Sequence, residues 1–470
     1  MDLKGKKVLV VGLARSGVAA ARLLVLHGAT VMANDLKPEA QMAPQAAELR
    51  KLGVMLSMGS HPESLFENAD LIVVSPGVPA DIAPLEIARR AGVEIISEPE
   101  LAGRFLRGRL IGITGSNGKT TTTTLAGELM RAVGASVIVG GNIGTPLTSL
   151  VEKSSESSWT VAELSSFQLE TVQSLRVNIA VVTNITPDHL DRHGSMENYV
   201  RAKHRIFLNQ TESDWAILNA DDPGITDMVA KLGVDSKRIY FSSSGREADI
   251  YTRDNSIFTT LVTADRSEIE IIPFEEIAVP GMHNVENIMA ALGATVCAAG
   301  ANESHLPALR EAIKQFKGVE HRIEHVAEIE GVKFYNDSKA TNVDSTAKAL
   351  EAFAGNIILI LGGKDKGSDY TVLEPLIRER VKHIILLGAA SDIIAAQLNE
   401  VRPMTRARSM DDAVLKAMEV AAAGDTVLLA PACASFDMFE NYEHRGRAFK
   451  QSVYKLVSQI HSGWTGRLTT

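Results

Sequence analysis

The chain has 470 residues, of which 45% are hydrophobic and 22% charged, so it is long enough for several domains that each bury a core. Its formal net charge of −9 argues against nonspecific binding of nucleic acid as the main function. Its two cysteines, Cys297 and Cys433, cannot form a disulfide framework, so we expect a cytoplasmic protein. No apolar run is long enough to span a bilayer, so we expect no membrane partner.

The amino-terminal segment predicts a strand, a glycine turn, a helix and a second strand. Lys4, Lys6 and Lys7 precede VLVVGLA, as positive charge precedes the apolar part of a secretory signal peptide. Arg15 interrupts this apolar run almost at once, which favours the strand and turn over the signal peptide.

Short apolar runs alternate with amphipathic helical stretches along most of the chain, which is typical of parallel sheets covered on both faces. The candidate strands are residues 8–11, 71–75, 110–114, 159–163, 179–183, 216–219, 357–361, 383–387 and 426–430. Residues 238–280 differ, because their short alternating segments predict a small antiparallel or mixed patch. We therefore predict an α/β protein of three units, residues 1–97, 98–318 and 319–470.

The first glycine turn, Gly12 to Gly17 in GLARSG, follows a predicted strand and opens a predicted helix. It has the form G-x-A-x-x-G, in which Ala14 replaces the glycine that brings a dinucleotide fingerprint close to a pyrophosphate. Asn34 and Asp35 follow the next strand, where an acidic residue binds ribose in such folds. The turn is compatible with a nicotinamide cofactor, with another nucleotide diphosphate, and with a tight turn that binds nothing.

The second glycine turn, in GITGSNGKTT, predicts a nucleotide phosphate site although its spelling departs from G-x-x-x-x-G-K-[ST]. Ile113 occupies the position of the first glycine in that pattern. An anion needs backbone N–H groups aimed at it and the amino-terminal end of a helix, and both are predicted here. Lys119 adds a charge for the outer phosphates, and Thr120 or Thr121 adds a hydroxyl for Mg²⁺. The loop itself consists of Gly115, Ser116, Asn117 and Gly118.

Further oxygen ligands for Mg²⁺ are expected at the same edge of the sheet as this loop. Glu163 ends the next candidate strand, and the strand after it runs into NITPDHLDRH. The polar candidates in that segment are Asp188, His189, Asp191 and His193. They are also compatible with a zinc site, but their spacing matches no common zinc pattern.

Seven motifs resemble the Mur ligase family in content and order, and the resemblance covers nearly the whole chain. The motifs are GSNGKTT, ELSSFQLE, NITPDHLDRH, HNVEN, EHRIE, NDSKATN and APACASFD. The resemblance implies a Rossmann-like amino-terminal domain, a central P-loop ATPase-like domain with a small added β patch, and a Rossmann-like carboxyl-terminal domain. It also implies that the variant spelling of the phosphate loop is normal for the family.

The resemblance implies an ATP-dependent, ADP-forming ligase of peptidoglycan precursor synthesis. ATP would phosphorylate the terminal carboxylate of the substrate, and an amine would then displace phosphate to form an amide. Because this transfer is charge-dense, cations and positioning should do most of the work. The motifs GLARSG, GGKDKG and ACASFDMFENY are most similar to members that add D-glutamate to UDP-N-acetylmuramoyl-L-alanine. We expect these small molecules as partners, no nucleic acid, and a monomer.

Two Mg²⁺ ions are implied by the resemblance, together with ATP. Lys119 would hold the outer phosphates, and Thr120 with Glu163 would bind one ion. His189 would bind the second ion with Lys203, which the resemblance implies is carbamylated. A carbamate offers two anionic oxygens, whereas an ammonium cannot ligate a metal. On the residues alone, Lys203 is also compatible with a solvated helix lysine.

The last part of the chain supplies the remaining ATP and D-glutamate contacts that the resemblance implies. The adenosine contacts are Asn284, Asn287, Arg322 and Asp337. Lys339 and Thr341 lie near the transferred phosphate and the incoming amine, and the D-glutamate pocket comprises Thr341, Lys366, Ser435, Phe436 and Tyr442. On the residues alone, Arg322 and Asp337 are compatible with a surface ion pair, Ser435 with a helix N-cap, and Cys433 with a packing residue.

The resemblance implies that the first domain binds the UDP part of the substrate and no nicotinamide. The positions assigned to this substrate are Ser16, Gly17, Asn34, Asp35, Ser75, Gly77, Asn142 and Gln168. Asn142 and Gln168 would meet the sugar-peptide part, whereas Asn34 and Asp35 would lie by the uracil or ribose.

Three other functions are compatible with parts of the sequence. One is another amino-acid ligase of the same superfamily, which the complete first domain and the third-domain motifs disfavour. Another is a nicotinamide-dependent oxidoreductase, which would leave the GKT loop unused. The third is a nucleotide-dependent switch that hydrolyses ATP without any amino acid.

Overall fold

The structure is a computed structural model that describes residues 1–245 and 247–461, except for the side chains of Asp191 and His461. Within these residues the strands form three sheets of an α/β protein, as predicted. The chain divides into two compact units. The first comprises Met1–Glu276 with Val285–Ile313, and the second comprises Ile277–Asn284 with the chain from Lys314 onward. Among the described residues, no helix is both long enough and apolar enough to cross a membrane.

The first sheet lies in the first unit and is parallel. Its strands are β1 (Lys7–Val11), β2 (Thr30–Asp35), β3 (Met55–Met58), β4 (Leu71–Val74) and β5 (Glu94–Ser97). The helices of this segment are α1 (Arg15–Leu26), α2 (Ala43–Lys51), α3 (Glu63–Glu67), α4 (Ala83–Arg90) and α5 (Glu98–Gly103). The order β3-β2-β1-β4-β5 reverses direction between β1 and β4. Ligands of such sheets bind outside the carboxyl ends of the strands at that reversal, where the Gly12 and Ser75 turns lie.

The second sheet also belongs to the first unit and carries the phosphate loop. Its strands are β6 (Arg109–Thr114), β7 (Val137–Gly141), β8 (Trp159–Glu163), β9 (Ile179–Val182), β10 (Trp215–Asn219), β11 (Lys237–Ser242), β12 (Ile250–Arg253), β13 (Ser256–Thr259) and β14 (Ile269–Pro273). The helices of this part of the chain are α6 (Lys119–Ala132), α7 (Ser166–Leu169), α8 (Leu190–His193), α9 (Met196–His204), α10 (Pro223–Leu232), α11 (Met282–Ala299) and α12 (Leu306–Gln315).

The strand order β14-β13-β12-β11-β10-β9-β6-β8-β7 places β6 between β9 and β8. The strands from β7 to β12 pair in parallel, whereas β13 is antiparallel to both β12 and β14. The predicted patch at residues 238–280 is therefore mixed, and it extends the central sheet instead of standing apart from it. The loops after β6, β8 and β9 meet at one edge, because parallel strands end on the same side of a sheet.

The third sheet lies in the second unit. Its strands are β15 (Glu324–Ile329), β16 (Val332–Asn336), β17 (Ile357–Leu361), β18 (Val381–Leu387), β19 (Met404–Ala407) and β20 (Thr426–Leu429). The helices are α13 (Val343–Glu351), α14 (Glu374–Arg380), α15 (Ser391–Gln397), α16 (Met410–Val420) and α17 (Tyr442–His461). The order is β15-β16-β20-β17-β18-β19, and β15 is antiparallel to β16 while the other pairs are parallel. Alternate residues of β17 enter separate apolar clusters, as in Leu359 and Ile360, so both faces are buried.

Candidate active site

The loop between β6 and α6 has a shape that only glycine accommodates at two positions. Gly115 and Gly118 have φ angles of 150° and 81°. A Cβ atom on Gly115 would lie 1.9 Å from Thr183 Oγ1, and one on Gly118 would lie 2.2 Å from Asn287 Oδ1. Ile113, by contrast, is a fully buried residue of β6. The backbone thus requires glycines beside the lysine and none at position 113, which explains the variant spelling.

Lys119 begins α6 and its side chain folds back over the loop. Its Nζ donates hydrogen bonds to the carbonyl oxygens of Gly115, at 2.8 Å, and Ser116, at 2.7 Å. The ammonium therefore lies beside the backbone that precedes the helix, where the helix dipole also favours negative charge.

The hydroxyl of Thr120 and the carboxylate of Glu163 meet beside this loop. Thr120 Oγ1 donates to Glu163 Oε2 at 2.7 Å, and Asn142 Nδ2 donates to Glu163 Oε1 at 2.8 Å. Glu163 is buried at the end of β8, in register with Ile113 of the neighbouring β6. Parallel pairing of β6 and β8 thereby joins a hydroxyl and a carboxylate that lie 43 residues apart in the chain.

Lys203 is buried within this cluster, although it lies on helix α9. It is 1% exposed, its Nζ donates to Gly115 O at 2.6 Å, and it lies 4.6 Å from the centre of the Tyr199 ring. Burial holds the pKa of Lys203 well below its usual value, and Lys119 lowers this pKa further, against the opposing effects of Asp188 and Glu163. This burial contradicts the interpretation of Lys203 as a solvated helix lysine.

His189 and His193 lie at the two ends of helix α8 and have different environments. The His189 side chain is about half exposed, and its Nε2 lies 3.5 Å from Asp188 Oδ2. His193 is buried, and its Nε2 lies 3.0 Å from Ser166 Oγ. Within the part of the chain that the structure describes, no group of three or more His, Cys, Asp or Glu side chains is arranged to hold a metal ion, although the Asp191 side chain lies outside that part.

Further polar groups line the phosphate loop. Asn287 accepts from Thr122 Oγ1 at 3.1 Å, so this expected adenosine contact lies against the start of α6. Asn117 is held by Asn184, whose Oδ1 accepts from the Asn117 backbone N–H at 2.8 Å. Thr121 is 2% exposed, and its Oγ1 has no hydrogen-bond partner among the residues that the structure describes. A buried hydroxyl without a partner is uncommon in proteins and is consistent with a site that receives a polar ligand.

The glycine turn after β1 is tightened by the β4 turn and by Asp35. Ser75 Oγ donates to Gly12 O at 2.7 Å, and a Cβ atom on Gly17 would lie only 1.9 Å from that same oxygen. Asp35 accepts from the backbone N–H groups of Leu13, at 2.8 Å, and Lys37, at 2.9 Å. The turn is thus fixed by two side chains, that of Ser75 just after β4 and that of Asp35 at the end of β2.

The residues assigned to the UDP-linked substrate differ in how accessible they are. Asn34 is fully buried, and its Nδ2 donates to Ser57 O at 2.8 Å and Ser60 O at 2.7 Å, so a ligand would have to share these bonds. Ser16 is half-buried and Gly77 is exposed. Gln168 is 1% exposed, and within the described part of the chain its Nε2 has no hydrogen-bond partner.

In the second unit, the predicted ATP contact Asp337 directly follows β16 and lies close to Arg322. Asp337 is 5% exposed, and burial raises its pKa to about 6 in spite of the opposing charge of Arg322. The Arg322 Nε is also buried, with no hydrogen-bond partner in the described residues, so these two residues are not an ordinary surface ion pair. Asn284 Nδ2 donates to Pro280 O at 2.7 Å. Lys339 Nζ lies 5.8 Å from the centre of the Tyr442 ring.

The predicted D-glutamate residues of the second unit lie on loops and at a helix start. Lys366 is exposed after β17, and Thr341 is half-buried before α13. Ser435 is buried after β20, whereas the adjacent Phe436 is 68% exposed. The helix N-cap alternative for Ser435 is wrong, because an isolated turn follows it, in which Ser435 O accepts from the Phe439 N–H at 2.9 Å, and the next described helix, α17, begins only at Tyr442.

Three family descriptions match the chain in sequence order. The Mur ligase MurD-like N-terminal domain matches residues 6–97, the Mur ligase middle domain matches 113–295, and the Mur ligase glutamate ligase domain matches 321–433. A UDP-N-acetylmuramoylalanine--D-glutamate ligase of Koribacter versatilis is 48% identical over 467 residues, which cover 98% of this chain and 99% of the relative. A protein of the same name from Acidobacterium capsulatum is 50% identical over 456 residues, covering 96% and 97%.

The chain belongs to the Mur ligase family. Solved Mur ligase structures share its fold at low sequence identity. The UDP-N-acetylmuramate-alanine ligase MurC of Thermotoga maritima has a TM-score of 0.59 and 19% identity, covering 97% of this chain and 100% of that one. The MurF ligase of Thermotoga maritima in complex with ADP has a TM-score of 0.58 and 14% identity, covering 97% and 96%. These likenesses concern the fold alone.

Two arginines contribute to this Mur ligase in ways that sequence patterns did not indicate. Arg192 donates to Pro76 O at 2.7 Å and Val78 O at 3.0 Å, so it fixes the turn after β4. Arg445 is 1% exposed and donates to Cys433 O at 3.0 Å and Ser338 O at 2.8 Å. A single arginine on a helix gives no sequence signal of burial, because arginine is mostly exposed in proteins.

Proposed function

We propose that the chain is an ATP-dependent ligase that joins D-glutamate to UDP-N-acetylmuramoyl-L-alanine in peptidoglycan precursor synthesis, with release of ADP and phosphate. The observation that carries the proposal is the contact between Thr120 and Glu163 at a glycine loop that also holds Lys119 and buried Lys203. Such a cluster is suited to a nucleotide triphosphate, and the names of the relatives supply the acceptor and the amino acid.

ATP would bind with its outer phosphates in the loop. The backbone N–H groups at the start of α6 and the helix dipole favour an anion there. Lys119 would exchange its bonds to the carbonyls of Gly115 and Ser116 for phosphate oxygens. The unpaired hydroxyl of Thr121 supports a further polar contact at the same helix start.

The residues present fit a magnesium site, and the proposal includes the two ions that the family resemblance implies. Thr120 and Glu163 offer hard oxygen donors that already lie 2.7 Å apart, which suits Mg²⁺. His189 would share a second ion with Lys203. When bound, these ions would neutralise charge on the transferring phosphate.

Carbamylation of Lys203 would convert a buried cation into a metal ligand. In that step the neutral amine nitrogen bonds to the carbon of CO₂ and releases one proton, so the product is an anionic carbamate. Burial favours the neutral amine, which is the reactive form, and holds the pKa of Lys203 well below its usual value. The proposal therefore explains why a lysine occupies a site where an unmodified ammonium would be costly.

The loops of the second unit would bind D-glutamate. A substrate with two carboxylates needs fixed positive charge, and Lys366 and Lys339 supply it. Ser435 would add a hydrogen bond, while Phe436 and Tyr442 would contact the aliphatic part.

The turns after β1 and β4, with Asn142 and Gln168, would bind the UDP-linked substrate. The buried Nε2 of Gln168, which has no hydrogen-bond partner among the described residues, supports this assignment, because such a group needs a partner.

Phosphate release tests the proposal directly. The enzyme is incubated with ATP, Mg²⁺ and UDP-N-acetylmuramoyl-L-alanine, and release is measured against a panel of D- and L-amino acids. We expect release that depends on D-glutamate and is lost in the Lys119→Met variant. The exposed Lys153→Met variant controls for loss of one positive charge.

Two results would overturn parts of the proposal. Release with a different amino acid would keep the Mur ligase chemistry and reject the D-glutamate pocket. Release that is indifferent to every amino acid would reject amide synthesis and favour a nucleotide-dependent switch.

A further inference from the structure

The two loops proposed to hold D-glutamate follow neighbouring strands of the third sheet. Lys366 lies after β17 and Ser435 after β20, and these strands pair in parallel. The loops also bond directly to each other, since the backbone N–H of Lys364 donates to Ala434 O at 2.8 Å and that of Ala434 donates to Lys364 O at 3.1 Å. The two loops therefore share one short stretch of backbone pairing.

A buried tyrosine connects the same loops through its hydroxyl. Tyr370 is fully buried, and its hydroxyl donates to Asp365 Oδ1 at 2.7 Å and lies 2.9 Å from Cys433 Sγ. The phenol has one proton and the carboxylate can only accept, so Cys433 S–H is the donor to the Tyr370 oxygen. Burial raises the pKa of Tyr370, and it raises that of Cys433 to about 11, so both groups keep their protons at neutral pH.

The carboxylate at the end of this connection shapes the turn that carries Lys366. Asp365 accepts from the backbone N–H groups of Gly367, at 2.9 Å, and Ser368, at 3.3 Å. Lys366 thus lies between Asp365 and Gly367, the first of the two residues whose backbone this carboxylate binds. Because Cys433 is two residues before Ser435, the hydroxyl of Tyr370 links both halves of the proposed pocket.

We propose that Tyr370 is a positioning residue for D-glutamate, in that its buried hydroxyl joins Asp365 to Cys433 and thereby sets Lys366 relative to Ser435. The inference rests on the proposed function, because that function places D-glutamate between these loops. Tyr370 does not touch the substrate; it acts through the two loops. Loss of the hydroxyl would leave the thiol and one carboxylate oxygen without their shared partner inside the protein.

The test is the Tyr370→Phe variant, which keeps the buried ring and removes the hydroxyl. We expect the KM for D-glutamate to rise about three- to tenfold, as loss of one buried hydrogen bond predicts. The kcat and the KM values for ATP and for the UDP-linked substrate stay within about twofold, since those sites do not use this hydroxyl. The exposed Tyr454→Phe variant in α17 is the matched control.

A second variant separates positioning from general damage. Asp365→Ala should raise the KM for D-glutamate at least as much as Tyr370→Phe, and the double variant should add little, because both changes remove the same contact. An unchanged KM for D-glutamate in Tyr370→Phe would overturn the inference. So would a loss of kcat with that KM unchanged, which is what partial unfolding predicts.

Labelling of Cys433 by a thiol reagent tests the link without any turnover. Cys433 is 1% exposed, so it reacts when the loops open, and we expect Tyr370→Phe to speed its labelling several-fold. Cys297, in the first unit, serves as the internal reference in the same mass spectrum. If the wild type does not use D-glutamate but labelling of Cys433 is faster in the variant, the proposed function fails while the coupling of the loops stands. Unchanged labelling would overturn the coupling itself.

Discussion

The phosphate loop of the first unit and the two loops of the second unit that are proposed to bind D-glutamate, after β17 and β20, are held in place in different ways. Around the phosphate loop the proposed ligand-binding side chains are themselves buried and hydrogen-bonded within the site, Glu163 to the Thr120 hydroxyl and Lys203 to the Gly115 carbonyl. In the loops proposed to bind D-glutamate, Lys366 and Phe436 are exposed, and the buried hydroxyl that we propose to order these loops belongs to another residue, Tyr370. In the first region, the side chains that are proposed to bind ligands also stabilise the local structure. In the second region, these two tasks belong to different residues.

This difference predicts how substitutions behave. A change in the phosphate loop should damage binding, chemistry and local stability together, because one side chain serves all three. A change in an exposed residue of the loops proposed to bind D-glutamate should alter substrate binding and leave the free energy of unfolding nearly unchanged.

Lys203→Arg should have the largest effect on activity. Arginine keeps the positive charge but cannot form the proposed carbamate, so a metal ligand would be lost. We expect kcat to fall about 10²- to 10³-fold, as removal of one charge-stabilising group does in other enzymes. Phosphate release with saturating substrates measures the loss, and the exposed Lys231→Arg variant is the control.

The modification itself gives a second readout for Lys203. Wild-type protein in ¹³C-labelled bicarbonate should show a carbamate carbon signal that Lys203→Arg lacks and Lys231→Arg retains. Full activity in Lys203→Arg, or an identical spectrum, would remove carbamylation from the proposal.

Gly118→Ala should weaken ATP binding about tenfold or more. The left-handed backbone alone costs about 1–2 kcal/mol for a residue with a side chain. The added methyl would also lie 2.2 Å from Asn287 Oδ1, so the loop has to move. Gly134→Ala is the matched control, because Gly134 has a similar φ of 79° and open space around its Cα.

Comparison of the two glycine variants isolates the contact with Asn287. Calorimetric titration with an ATP analogue gives the affinities, and urea unfolding gives the stabilities. Equal ATP affinity in both variants would mean that the loop accommodates a side chain at position 118 without any loss of nucleotide binding, and would contradict the prediction.

The fold could be predicted where strands lie inside a sheet and less well where they lie at an edge. Interior β8 and β17 match their predicted bounds, because continuous burial makes their sequences continuously apolar. Patterning alone did not reveal β3, β5, β7 and β19, which lie at the edges of their sheets and are four or five residues long. A short strand with one neighbour has no distinctive pattern of its own.

The candidate site could likewise be predicted only in part, where its residues form a local pattern. The phosphate loop was predictable because glycine, lysine and threonine have fixed roles over a few adjacent positions. The burial of Lys203 was not predictable from local pattern, since it depends on a hydrogen bond to Gly115, 88 residues earlier in the chain. The contact between Tyr370 and Cys433 likewise joins positions 63 residues apart.

Glu98→Gln should change how stability depends on pH. Glu98 lies in α5, between the first and second sheets, where its Oε1 accepts from the backbone N–H of Thr148, at 2.6 Å, and from its Oγ1, at 2.7 Å. Burial raises the pKa of Glu98 from 4.5 to about 7. Between these values the folded state binds the proton more tightly, so the free energy of unfolding falls as pH rises, by up to about 3 kcal/mol.

The glutamine variant should lack this fall, because its amide oxygen can accept the same bonds without a charge. Urea unfolding at pH 5 and pH 8 measures the difference, with the exposed Glu152→Gln variant as control. Parallel pH dependence in Glu98→Gln and the wild type would show that Glu98 is ionised in the folded state at pH 5.

Phe436→Leu should have the smallest effect and tests the exposed side of the comparison. The ring is 68% exposed, so the free energy of unfolding should change by less than about 0.5 kcal/mol. The KM for D-glutamate should still rise about two- to fivefold, because leucine covers less apolar surface on the substrate. Ile393→Val, at 43% exposure in α15, is the control for an exposed apolar truncation in the same unit. An unchanged KM would place Phe436 outside the pocket, whereas a marked loss of stability would mean that this loop, like the phosphate loop, depends on its own functional side chain.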